Sequence, residues 1–248
     1  MIKKITYGTH ASQFMRVHYP TTTASTLIVL YHGGFFKSKY NLDYMETLAA
    51  DLAQQDYLVA NVEYPRVGQG LTCTQMLQSI YTSFDAAAAI DPEITNRVAI
   101  GHSAGGYYAL MLGIKDVKLL RIRRSHIPNK IIAQAPLTDL WRGQQERLSD
   151  NGDAIKKFID SQRAEPASQN IYALMSPLQH PPSDKCTIHL VHGKMDTDVP
   201  LDQSIAYSNR FGNFPGTLFL HEFPEANHYD IVNVEHLAWK AQQTMLLV

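Results

Sequence analysis

The stretch RVAIGHSAGGYYALMLG, Arg97 to Gly113, decides how this chain is read. An apolar run enters Gly101, then comes a histidine, a serine and two further glycines, then a second apolar run with helical character. GHSAGG fits the pattern G-x-S-x-G at the junction of a buried strand and a helix. A serine on so sharp a turn takes up strained backbone angles, and its hydroxyl projects above the sheet. Side chains two positions either side would collide, so Gly101 and Gly105 are the steric condition for that geometry, while Gly106 eases helix packing. The competing reading is a crowded glycine-rich turn with an incidental serine.

Outward from this junction, strand and helix alternate. TLIVLYHGG (Thr26 to Gly34) is continuously apolar, as a strand buried on both faces should be. Leu42 to Gln55 has apolar residues at helical spacing, with Asn41 and Asp43 as candidate caps. YLVANVEY, RVAIGHS, KIIAQAP, CTIHLVHG and TLFLHEFP read as further strands. Helices are expected over Thr72 to Ile90, Ala104 to Ile114, Leu201 to Phe211 and, closing the chain, Asp230 to Val248. Strands separated by helices imply right-handed crossovers and a mostly parallel sheet with helices on both faces. IKKITYG and QFMRVHYP alternate instead, as an antiparallel edge hairpin would. Leu137 to Pro182 breaks the rhythm and is too long for an ordinary connection. It is expected to be a small helical, cap-like insertion (137–182) over one edge of the sheet, within a single domain spanning 1–248.

Composition removes several function classes. With 45% hydrophobic and 18% charged residues the chain is globular, and a net charge of −1 leaves no footprint for nucleic acid or an anionic membrane. The short run RIRR (Arg121 to Arg124) reads as a solvated helix end. No apolar segment approaches the roughly 18 residues of a membrane span. The two cysteines, Cys73 and Cys186, form neither a metal-spaced pair nor a disulfide framework, which suits a reducing, cytoplasmic compartment. The scattered histidines offer no metal-ligand cluster.

A serine hydroxyl is barely nucleophilic at neutral pH and needs a base within hydrogen-bond reach. Position discriminates among the eleven histidines. His102 adjoins the serine but is expected to point elsewhere. His189 and His192 lie three apart on a strand and face opposite sides. His221 falls inside a strand and His236 inside the last helix. His228, in PEANHYD, follows the last strand at the sheet edge where Ser103 lies, and open parallel sheets place sites at the carboxyl ends of their strands. An acid must then fix the histidine's tautomer. Asp196 and Asp198 in HGKMDTDVP both follow the preceding strand; Asp196 has more room to turn inward. For the oxyanion of a tetrahedral intermediate, YHGGFF (Tyr31 to Phe36) could present the amides of Gly34 and Phe35 beside that of Ala104. Taken alone, HGG also admits the lesser reading of a plain turn.

On HGGFF, GHSAGG, YALMSPLQH, HGKMDTDVP and NHYD the chain resembles the α/β-hydrolase family, in particular esterases with an HGG oxyanion motif. Small carboxylesterases and arylformamidase-like hydrolases are among those it is similar to. The resemblance implies an eight-stranded sheet, a Ser103, Asp196 and His228 triad and no cofactor. Its HG-x-x-D pattern selects Asp196 over Asp198. Many relatives carry tryptophan where this chain has Phe36, and VEYPRVGQG (Val62 to Gly70) only loosely matches the usual segment there. Both departures weaken transfer of a substrate.

The expected activity is hydrolysis of small carboxylic esters through an acyl-enzyme, with amidase or formamidase action on the same triad as the alternative. A non-catalytic binding protein on this fold is a third reading. The implied partner is a small-molecule ester, without metal, nucleic acid or membrane. Trp141 and Leu140 are candidate pocket lining, or else the insertion's own core.

Overall fold

The computed structural model describes residues 1–247. An antiparallel hairpin, β1 (Ile2–Thr6) and β2 (Phe14–His18), opens the chain. Then β3 (Thr26–Tyr31), α1 (Glu46–Gln54), β4 (Leu58–Glu63), α2 (Cys73–Ala88), β5 (Asn96–His102), α3 (Ala104–Leu112) and β6 (Lys130–Gln134) alternate as expected. Three short helices follow, α4 (Leu140–Gln145), α5 (Asp153–Ile159) and α6 (Gln169–Met175). The chain then returns to β7 (Thr187–Gly193), α7 (Asp202–Phe211), β8 (Thr217–Phe223) and α8 (Leu237–Gln243). The eight strands form one sheet in the order β1-β2-β4-β3-β5-β6-β7-β8. β2 meets β4 antiparallel, and every pair from β4 to β8 is parallel. The fold is thus the mostly parallel, eight-stranded α/β sheet that the resemblance implies.

Two apolar layers explain the unbroken TLIVLY run. Leu27, Val29 and Tyr31 face one layer with α2, α3 and the insertion, while Ile28 and Leu30 face the other with α1 and α8. Each fully buried Leu or Ile contributes about 1.5–3 kcal/mol, so a strand buried on both faces has no position to spare for a polar residue. α2 starts at a capping box: the Gln75 amide donates to Thr72 Oγ1 at 3.2 Å and the Thr72 amide to Gln75 Oε1 at 2.9 Å. Asn41 caps the turn before α1, accepting from the Asp43 amide at 2.9 Å. Asp43 lies in that first turn and is not itself the cap.

The closing helix departs from expectation. It is interrupted, with a 3-10 turn at Asp230–Val232 and α8 beginning only at Leu237. Short polar side chains compete for the backbone there. Asn233 Oδ1 takes the Glu235 amide at 3.1 Å, and His236 Nδ1 takes the Ala238 amide at 3.1 Å. His236 therefore caps the last helix from outside it. Val248, the end of the expected helix, lies outside the described residues. Among the described residues no helix is long and apolar enough to cross a membrane.

The segment after β6 packs into the first apolar layer through Leu140, Ile155, Phe158, Tyr172 and Met175. Phe158 stacks on Phe36 of the loop after β3, centroids 3.9 Å apart, and Asp150 pairs with Lys37 at 2.8 Å. The segment thus reaches across the carboxyl ends of the strands, where a site would lie.

Candidate active site

Ser103 is the single residue between β5 and α3, with φ 56° and ψ −115°. Its amide donates to the Gln134 carbonyl of β6 at 2.7 Å, which pins the turn to the sheet. Such angles cost about 1–3 kcal/mol for a non-glycine residue and persist only where the surroundings enforce them. The flanking glycines make the turn possible. A Cβ on Gly105 would overlap the Tyr31 carbonyl, and one on Gly101 the Gly105 carbonyl. Gly105→Ala is therefore expected to lower stability by at least about 1–3 kcal/mol, because backbone and not a movable side chain blocks the methyl. Urea unfolding measures it; an unchanged midpoint would contradict this close approach.

Asp196 and His228 come together from two loops. The turn after β7 is tied to the end of β8, its Lys194 amide donating to the Phe223 carbonyl at 2.9 Å and its Met195 amide to the Ala226 carbonyl at 3.0 Å. This turns the Asp196 carboxylate inward, with a fully buried side chain. Its Oδ1 accepts the amides of Asp198 and Val199, each at 2.9 Å, and its Oδ2 accepts His228 Nδ1–H at 2.6 Å. Burial alone would raise this carboxyl, but hydrogen bonds from His192 and His228 outweigh it and hold Asp196 below the usual carboxylate range. Asp198 makes no such contact; it faces the Tyr229 hydroxyl at 3.5 Å.

His228 is nearly buried, and Ser103 shares a cleft with it. The Ser103 hydroxyl is buried and has no hydrogen-bond partner among the described residues. The cleft is walled by Gly34 and Phe35, with Tyr40, Tyr44 and Tyr229 at its rim. The insertion contributes Ser149 to it. Leu140 and Trp141 instead pack within the insertion, Trp141 edge-on to Tyr172 at 5.2 Å, so neither lines the cleft.

The HGG loop is strained in turn. Gly34 sits at φ 115°, and Phe35 and Phe36 at φ 48° and 61°, a region that bulky residues seldom adopt. Anchors on both sides hold it. Phe36 stacks on Phe158, and Val67 donates its amide to the Phe36 carbonyl at 3.0 Å. Below, the fully buried His32 donates Nδ1–H to the Gly33 carbonyl at 2.7 Å, and Tyr64 donates its hydroxyl to the His32 carbonyl at 2.5 Å. Arg66, ion-paired with Glu63, faces His32 Nε2 at 3.4 Å. The loosely matching segment Val62 to Gly70 therefore supplies the grip on this loop.

Two histidines close to the trio were not recognised from sequence. His192 Nε2 lies 3.3 Å from Asp196 Oδ2 while donating to the Val199 carbonyl at 2.9 Å, and its Nδ1 accepts from Ser204 Oγ at 2.8 Å. His102, expected to point elsewhere, instead turns toward the site: its Nε2 donates to the His228 carbonyl at 2.8 Å. Its position inside GHSAGG was the available signal. Position alone does not reveal the loop that a strand-end side chain will meet. His189 and His221 pair with each other at 3.0 Å, away from the trio.

Burial keeps several histidines neutral. It lowers His18, His102 and His221, brings His189 down to about 4 and His32 to about 3. An unfolded histidine takes its proton near pH 6.5, so below that value the unfolded chain binds protons that the native chain refuses. Stability must then fall as pH drops, by up to about 1.4 kcal/mol per unit for each such histidine, from about pH 6.5 down toward the folded value. The depressed Asp196 acts only lower, below the ordinary carboxylate value near about 3.9. Urea midpoints are expected to decline steadily between about pH 7 and about pH 5; a flat profile would mean that these rings are not held neutral.

Ser103 and His228 thus share one cleft, and the Asp196 carboxylate bonds the imidazole at Nδ1. No curated protein matches this chain. Solved structures share its fold. Esterase B from Lactobacillus rhamnosis, with a tributyrin phosphonate, is 17% identical with a TM-score of 0.75, covering 99% of this chain and 84% of its own. Esterase 2 from Thermogutta terrifontis phosphonylated by sarin is 17% identical with a TM-score of 0.77, covering 99% and 92%. The same esterase with butyrate bound is 16% identical with a TM-score of 0.75, covering 99% and 91%. In sequence, residues 15–211 match the BD-FAE family model, which is well over half of the chain. By that match this chain belongs to the BD-FAE family, and its sheet order is that of the α/β-hydrolase fold.

Proposed function

We propose that this protein hydrolyses carboxylic esters of small acyl groups, with Ser103 as nucleophile, His228 as general base and acid, and Asp196 as its orienting carboxylate. The observation that carries this reading is the 2.6 Å contact between His228 Nδ1 and Asp196, in one cleft with a serine on a strained strand-to-helix turn. Asp196 takes the Nδ1 proton's bond, which leaves Nε2 as the lone-pair nitrogen available to Ser103. The Ser103 Oγ–H proton passes to Nε2 as Oγ bonds to the ester carbonyl carbon. The carbonyl oxygen becomes an oxyanion, facing the amides of Gly34, Phe35 and Ala104. Nε2–H then protonates the leaving alkoxide, the C–O bond breaks, and an acyl-enzyme remains. Water gives a proton to Nε2, attacks the acyl carbon, and the acid leaves as Oγ recovers the proton.

The buried serine and the modest cleft favour short acyl chains, and the butyrate-bound state of the Thermogutta esterase supports the same size class. A panel of p-nitrophenyl esters of graded acyl length, run beside N-formyl anilines, tests it. Ester turnover peaking at short chains is expected. Faster formanilide cleavage would move the activity to formamidase, and inertness toward both would point to a binding protein.

A further inference from the structure

His102 ends β5 and Ser103 follows it directly, and each lies near His228 in a different way. Ser103 shares the cleft with it, while His102 reaches its backbone: Nε2 lies 2.8 Å from the His228 carbonyl oxygen, and the two imidazole centroids are 4.4 Å apart. A carbonyl only accepts, so His102 carries its proton on Nε2. The ring has little freedom. Tyr44 stacks on it with centroids 5.5 Å apart, and Gly33 approaches so closely that a Cβ there would fall 2.9 Å from His102 Nδ1. Burial and the neighbouring His228 also keep the ring uncharged.

The His228 loop is otherwise bonded mainly within itself and to the β7 turn. Asn227 takes the amides of Tyr229 and Asp230 on its side chain, and Met195 donates to the Ala226 carbonyl. One further tie runs through β6, where the Gln134 carbonyl accepts the Ser103 amide and the Gln134 side-chain amide donates to the Ile231 carbonyl at 3.2 Å. It holds the chain three residues past His228, whereas His102 holds the carbonyl of His228 itself.

We propose that His102 is a positioning residue: its Nε2–H holds the His228 carbonyl and so sets the register between base and nucleophile through one peptide link, His102 to Ser103. The proposal rests on the triad reading above. Misplacing a reacting group by about 1 Å can lower a rate on the order of hundredfold. Loss of the donor should therefore appear in kcat and in serine reactivity, and not in substrate binding.

The test compares His102→Leu, His102→Gln and His102→Asn in the full chain. Leucine keeps bulk and loses the donor. The glutamine amide reaches as far as imidazole Nε2, whereas the asparagine amide stops one carbon short. The Leu variant is expected to lose about tenfold to hundredfold in kcat with KM within a few fold. Its rate of inactivation by a fluorophosphonate should fall in parallel, because that step also needs an aimed base. Gln should recover most of the rate and Asn should not. Wild-type kcat in a folded Leu variant, or equal rates for Gln and Asn, would overturn the proposal; if Leu fails to fold, the Gln and Asn pair decides alone. Ser103→Ala run alongside separates the two claims. Turnover surviving there sinks the triad itself, whereas its loss with an unaffected His102 series sinks only the positioning role.

Discussion

Ser103→Ala is expected to remove ester turnover by about 10⁴–10⁶-fold while leaving the fold as stable as before, or more so. Rate losses of that size follow from deleting a triad nucleophile, since base and acid then have nothing to activate. The stability half comes from this structure. The Ser103 hydroxyl is buried and makes no hydrogen bond among the described residues, so the variant breaks none and removes an unsatisfied polar group. Alanine inherits the same strained φ of 56° at no greater cost than serine. A serine kept in place at the expense of stability is a signature of function. Initial rates on a short-chain ester, with a thermal melt of both proteins, measure the two halves. Retained turnover would move the nucleophile elsewhere, and a large drop in melting temperature would mean the hydroxyl has a structural partner.

Asp196→Asn is expected to cost on the order of 10⁴-fold in kcat, whereas Asp198→Asn should stay within a few fold of wild type. The asymmetry follows from the hydrogen bonds around Asp196. Its Oδ1 accepts two amides, so an asparagine must keep its carbonyl oxygen on that side. The NH₂ group is then forced toward His228 Nδ1, which must accept and not donate. The ring's proton shifts to Nε2, the nitrogen required to be empty for Ser103. Asp198 has only a 3.5 Å contact with the Tyr229 hydroxyl, and asparagine can keep that. Kinetics of the two variants at one pH test this, and the reverse ranking would transfer the orienting role to Asp198.

How much of this was legible in advance depended on the range of the forces involved. The β5, Ser103 and α3 junction was readable because its determinants are local: apolar runs, and glycines whose missing methyls clear neighbouring carbonyls. The sheet's burial on both faces was readable from TLIVLY for the same reason. The closing helix was misjudged at Asn233 and His236, where side chains bond the backbone and outbid an apolar periodicity. Leu140 and Trp141 could be read as pocket lining or as the insertion's own core, and the structure takes the second, because the insertion's few large side chains are used there. His102, His192 and the Glu63 to Arg66 grip on His32 depend on contacts between distant loops. Nothing in a single strand's pattern announces which carbonyl or carboxylate will lie opposite.

The central claim is that Ser103 is made nucleophilic by His228 and Asp196, and one labelling experiment addresses it directly. The protein is treated with a fluorophosphonate and digested, and the modified peptide is mapped by mass spectrometry. A single adduct on Ser103 is predicted, absent in Ser103→Ala and strongly slowed in His228→Ala. An adduct on another residue, or full ester turnover by a protein that never becomes labelled, would contradict it.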